Sequence, residues 1–211
     1  MNILSLAYLG NVQWFTKLCF SECAIDVGEH YLKQSYRNRC EIMTPAGRTA
    51  LVVNTVKGSN SDKQTVRDTR IDYSKRWQHQ HRQALVSAYA SSPFFDHYWP
   101  EIEPFYLKQY GFLFDFNAGL LETVLRLLKT DVRPVYLEKY AGTDGAFTDL
   151  RDAISPKPRL ARPDPAFRPQ PYWQVFSDKL PFEPNLSIAD LLFCEGPQAA
   201  SILRQSVARE P

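Results

Sequence analysis

Residues 30–39 read HYLKQSYRNR, a run that holds one histidine, one lysine, two arginines, two tyrosines and one asparagine. Arg37 and Arg39 flank Asn38. In an extended segment side chains two apart point the same way. The pair would then form a guanidinium clamp for phosphate or carboxylate. Lys33 adds a point charge, and Tyr31 and Tyr36 supply flat surfaces with polar tips. Read this way, His30, Tyr31, Lys33, Tyr36, Arg37, Asn38 and Arg39 line a ligand cleft and face an anion. The alternative is a charged strand face whose arginines and Asn38 fasten another part of the chain. Two acids stand upstream, Asp26 and Glu29. Asp26 is the candidate to work with the arginines as a catalytic carboxylate.

A second candidate lies in RWQHQHRQALVSAY (76–89). His81 is four residues from Trp77 and eight from Tyr89, so all three share one helical face. That gives a partly buried imidazole usable as a general base or phosphate donor, with Trp77 lining the pocket. A structural histidine bonded to a backbone carbonyl is the competing reading. His79 and His81 are two apart and diverge on a helix, so they make no bidentate metal site, and no metal is expected. Cys40 follows the basic strip directly, yet nothing in the sequence sets a histidine beside it to make a nucleophile.

The elements that must position these groups read as α/β. ILSLAYL (3–9) has the length of a buried strand, VQWFTKLCF has helical spacing, and CAIDV (23–27) is a second apolar strand. The basic strip follows that strand, where open α/β sheets collect ligands. CEIMTPAGRTALVVNTV (40–56) reads as a β-hairpin around Pro45-Ala46-Gly47, and GSNSDKQ (58–64) as a polar loop. A strand is expected over 66–74, helices over 75–90, 94–110 and 112–129, and a further strand over 134–140. Residues 155–184 contain eight of the fifteen prolines. Such a segment stays extended, and its PYWQVF is too aromatic for solvent, so it reads as a strap packed on the domain. Ser187 is a plausible N-cap for a last helix that Gly196-Pro197 interrupts. The expected fold is one α/β domain over 1–211 with a mixed sheet, an N-terminal strand–helix–strand unit, central helices, and a C-terminal Pro-rich strap plus helix.

Composition narrows the function classes. The net charge of +2 conceals an asymmetry: residues 30–85 carry eleven Lys and Arg against four acids. A positive surface of that kind favours a small anionic ligand, such as a nucleotide sugar. Nucleic acid is not the expected partner, because the pI of about 8.3 lies below the usual basic footprint and no DNA or RNA module is recognisable. The four cysteines show no CxxC or zinc-type spacing. No run approaches the roughly 18 apolar residues of a membrane span. The first fifteen residues also lack the basic start of a signal peptide, so a cytoplasmic location is expected. GxGxxG, P-loop, GxSxG and HExxH motifs are all absent. No cofactor can be named from the sequence.

Five segments together resemble the WbqC-like proteins. They are AYLGNVQWFTKL (7–18), DVGEHYLKQSYRNRCEI (26–42), WQHQHRQALVSAYASSPFFDHY (77–98), PQPYWQVF (169–176) and PNLSIADLLFCEGP (184–197). Gly10-Asn11 stands where the family pattern has proline, and EKYAGTDGAFTDLRDAISPK (138–157) replaces its glycine-rich segment. The resemblance implies a role in bacterial surface-polysaccharide (O-antigen) biosynthesis. Joined to the basic strip, it points to an enzyme that transfers or attaches a group from an activated, phosphate-bearing donor. A non-catalytic binding or scaffold protein of the same pathway is the alternative.

Overall fold

The structure is a computed structural model that describes residues 1–56, 64–142 and 147–208. The chain opens with β1 (Asn2–Ser5), α1 (Val12–Phe20) and β2 (Cys23–Asp26), and the two strands pair in parallel. Ile3, Leu4, Ala24 and Ile25 are all buried, as strands covered on both faces require. Residues 6–9, expected to prolong β1, form a buried loop in which Leu9 has φ +41°. That bend turns the chain into α1. Asn11 caps the helix by accepting from the Trp14 N–H at 2.9 Å. A Cβ on Gly10 would sit 3.0 Å from the Trp14 ring, so the glycine lets the indole close over the loop.

β3 (Arg39–Thr44) and β4 (Gly47–Val52) form the expected hairpin, with Gly47 in the left-handed region at φ +95°. Helices α2 (Trp77–Tyr89), α3 (Phe95–Ile102), α4 (Pro104–Leu107) and α5 (Leu113–Leu127) follow. The single helix expected over 94–110 is split, because Pro104 has no N–H to continue the ladder of α3. The strand expected over 66–74 is also missing. Val66 and Arg67 donate to Glu29 and Val27, Ile71 to Gly111 and Asp72 to Asn54. Bonds spread over three neighbours leave only isolated bridges.

β5 (Tyr136–Leu137) and β6 (Thr148–Asp149) complete a four-stranded parallel sheet in the order β5-β2-β1-β6. The fold is therefore α/β with both parallel and antiparallel pairing, divided between two sheets. Most of the polar loop at 58–64, and residues 143–146, lie outside the described residues.

The proline-rich strap packs on this frame at several points. Asp164 takes Lys17 Nζ at 2.7 Å. Tyr172 and Gln174 reach the buried Asp190 of α6 (Ile188–Glu195) at 2.6 and 3.1 Å, and Tyr89 bonds its other oxygen. Glu183 pairs with Arg48 of the hairpin. Ser187 caps α6, Gly196 (φ +50°) breaks it, and α7 (Ala199–Gln205) ends the described fold against α1.

Candidate functional site

Three parallel strands end on polar residues: β1 on Ser5, β2 on Asp26 and β6 on Asp149. Parallel strands present their carboxyl ends together, so these side chains gather at one edge of the sheet. Arg151, two residues past β6, joins them. Its guanidinium donates to Asp26 Oδ2 at 2.6 Å, to Asp149 Oδ2 at 2.6 Å and to the Ala141 carbonyl at 2.9 Å. The Tyr140 ring lies 4.4 Å from the guanidinium carbon. Ser5 Oγ donates to the Arg151 carbonyl at 2.9 Å. Arg151's hydrogen bonds hold the Asp149 carboxyl below its ordinary range.

Asp26 is fully buried, and its two oxygens differ. Oδ2 accepts from Arg151 and from the Ala141 N–H at 3.0 Å. Oδ1 has no hydrogen-bond partner among the described residues. Buried acceptors are seldom left unpaired. Gly28 lets the covering segment close in here, since a Cβ on it would meet the Glu138 carbonyl at 2.5 Å.

A second ion pair adjoins the first. Arg37, 2% exposed, donates to both oxygens of Glu29 at 2.8 and 2.5 Å and reaches Asp152 at 3.3 Å. Burial raises the Glu29 carboxyl above its ordinary range against the pull of Arg37. Asn117 of α5 holds the strip from below, donating to the Arg37 carbonyl at 2.7 Å. Counting both pairs, Asp26, Glu29, Asp149 and Asp152 face only two guanidiniums.

The residues singled out from sequence divide into three places. Asp26 and Arg37 belong to the two adjoining ion pairs at the strand ends. Arg39 lies away from Arg37 and pairs with Glu41, which also holds Arg48. The expected two-arginine clamp is not formed, because residues 36–38 are a turn and β3 begins only at Arg39. Alternation therefore does not apply across the pair. Asn38 fastens the strip to the hairpin, donating to the Val53 carbonyl at 2.9 Å. Tyr36 is buried against Glu41, Tyr31 is half-buried beside Thr55, and His30 and Lys33 are exposed.

His81 and Trp77 belong to the core, with ring centroids 5.1 Å apart. His81 Nδ1 lies 2.9 Å from Tyr8 Oη, which is 2.8 Å from Tyr106 Oη. Burial pushes the imidazole down to about 4. Neighbouring Cys40 is buried and its thiol is pushed far up, so it holds its proton. This network shares no side-chain hydrogen bond with the strand-end cluster among the described residues. Arg151 and Asp152 were missed in the sequence. The charge alternation of Asp149-Leu150-Arg151-Asp152 was the available signal.

The WbqC-like family model matches residues 17–154. The chain belongs to the WbqC-like protein family. No curated protein and no solved structure matches the chain. The WbqC-like match takes in Asp26, Glu29, Arg37, Asp149, Arg151 and Asp152, and so contains the whole charged cluster. The strap, α6 and α7 lie beyond it. Among the described residues no group of three or more His, Cys, Asp or Glu could hold a metal ion, and no helix is long and apolar enough to cross a membrane.

Proposed function

We propose that this WbqC-like protein is an enzyme of bacterial surface-polysaccharide (O-antigen) biosynthesis, transferring or attaching a group from an activated, phosphate-bearing sugar or related donor. The strand-end cluster is its site. The observation that carries the reading is Asp26, whose Oδ2 is fixed by Arg151 while Oδ1 is buried with no partner among the described residues. A carboxylate oriented in this way accepts a proton or hydrogen bond from a ligand hydroxyl or amine. Opening of the covering segment at 138–142 would admit that group.

Arg37 supplies the anion subsite. The Asp152 oxygen 3.3 Å from its guanidinium belongs to a side chain 55% exposed at the rim. A donor phosphate takes that position by displacing Asp152, while Glu29 keeps Arg37 in place. His81 acts through Tyr8, whose backbone N–H donates to the Tyr36 carbonyl of the strip at 2.9 Å. It is a positioning residue in this reading.

Thermal shift with nucleotide sugars, sugar phosphates and acyl carriers tests the proposal. A ligand at a hundred times its Kd stabilises the fold by about 2.7 kcal/mol. With the ligand found, Asp26→Asn is expected to abolish turnover and retain binding. No shift with any of these compounds would count against the reading. The second reading, a binding or scaffold protein, is favoured by the saturation of Arg37 and Arg151 with carboxylates from the chain itself. Full turnover in Asp26→Asn would remove Asp26 from the chemistry.

A further inference from the structure

The protein has a second place where arginine meets an aromatic ring, far from the carboxyl ends of the sheet. Three surface cavities of about 840, 540 and 260 Å³ all border Phe20, the last residue of α1. The third is also lined by Asn2 and Thr148, the first residues of β1 and β6, which sets this groove at the amino ends of the strands. The 840 Å³ cavity is bounded by Phe20, by Arg168 and Gln170 of the strap, and by Arg204 and Gln205 of α7. Among the described residues no acid lines it.

Both arginines are exposed, and among the described residues neither makes an ion pair or a side-chain hydrogen bond to a carboxylate. Arg204 lies over the Phe20 ring, 5.1 Å from its centroid, which limits the positions its guanidinium samples. The strap holds Arg168 opposite it. Phe167 bridges Val207, the Arg168 N–H donates to the Ser206 carbonyl at 2.8 Å, and the Gln170 N–H reaches Ser206 Oγ at 3.3 Å. Two guanidiniums are thus presented from separate elements, their backbones anchored and their donors unpaired among the described residues.

We propose that this cavity binds a nucleoside diphosphate. The phosphates bridge Arg168 and Arg204, which provide the fork-shaped donors such groups recognise. The base packs against Phe20 and Val207, and the amides of Gln170 and Gln205 meet its edge. A volume of about 840 Å³ has room for a nucleotide and far exceeds what a bare phosphate fills. The inference does not depend on the strand-end reading.

Calorimetric titration with UDP, ADP and inorganic phosphate tests it. UDP or ADP is expected to bind saturably, with phosphate at least tenfold weaker. Arg168→Gln and Arg204→Gln should each weaken the nucleotide about tenfold, and the double variant about a hundredfold. Both side chains are exposed, so melting temperatures should hold. A readout free of variants is the shift of the Phe20 ring protons when the wild-type protein is titrated with UDP. Absence of saturable binding at millimolar nucleotide overturns the proposal, as does equal affinity for phosphate and nucleotide. Nucleotide binding that survives undiminished in the double variant would also overturn it, and would leave the strand-end reading standing.

Discussion

Arg151 and Arg204 each lie against an aromatic ring, Tyr140 and Phe20, yet the fold treats them oppositely. Arg151 is buried and spends its donors on Asp26, Asp149 and the Ala141 carbonyl. Arg204 is exposed and spends none on a carboxylate of the described chain. The difference follows from desolvation. A buried guanidinium must be paired, because the cost of an uncompensated charge exceeds anything a loose ligand returns. An exposed one keeps its donors for whatever arrives. The dense basic stretch sends only Arg37 to the strand ends, where arginine is paired, and passes over the groove, where it is available.

The sharpest way to break this contrast is to unpair the buried side. Glu29→Gln leaves Arg37 buried beside only the rim carboxylate of Asp152, and should cost about 3–5 kcal/mol in urea unfolding. Replacing the pair by Glu29→Met and Arg37→Met together should recover most of that loss. A single variant within 1 kcal/mol of wild type would show that the cluster is not structural.

Acidification probes burial without a partner charge. His81 titrates at about 4 when folded and at about 6.5 when unfolded, because burial among Trp77, Tyr8 and Tyr106 penalises the imidazolium. The unfolded chain takes up its proton first as pH falls. Stability that is complete above 6.5 is therefore lost between 6.5 and 4, by about 3 kcal/mol. Glu29 and Asp190 act in the other sense, since their carboxyls are raised and their folded states gain protons early. The difference between wild type and His81→Gln isolates the histidine. It should shrink as pH falls through that window, and a difference independent of pH would refute the buried neutral imidazole.

A smaller effect is expected where the strap meets the core. Tyr172→Phe removes a 2.6 Å bond to the buried Asp190 and should cost about 1–2 kcal/mol in urea unfolding. The smallest belongs to the groove. Arg168→Gln and Arg204→Gln should each change stability by no more than about 0.5 kcal/mol, apart from the modest ring contact of Arg204. A large loss in either variant would make that arginine structural after all and dissolve the comparison.

Much of the frame was legible. The apolar runs at β1 and β2, the helical stripe of α5, the Pro-Ala-Gly turn of the hairpin and the Ser187 cap each depend on neighbours close in sequence. Asp26 and Glu29 were visible as acids next to a buried strand. What failed was extrapolation of period-2 geometry into 36–38, where a turn sends Arg37 inward and leaves Arg39 with Glu41. β6 could not be foreseen, because two residues carry no period.

The sequence by itself determined the α/β class, the hairpin, the central helices and the family, since local periodicity, turn chemistry and short sequence motifs need no distant partner. Tertiary structure alone decided which arginine is spent and which is free. Arg151 meets Asp26 across 125 positions, and Arg168 faces Arg204 only because the strap is stitched to residues 206–208. Such meetings are set by how strands stack and where a strap lands, and the pairing of charges follows from burial. Neither quantity is written in the spacing of residues along the chain.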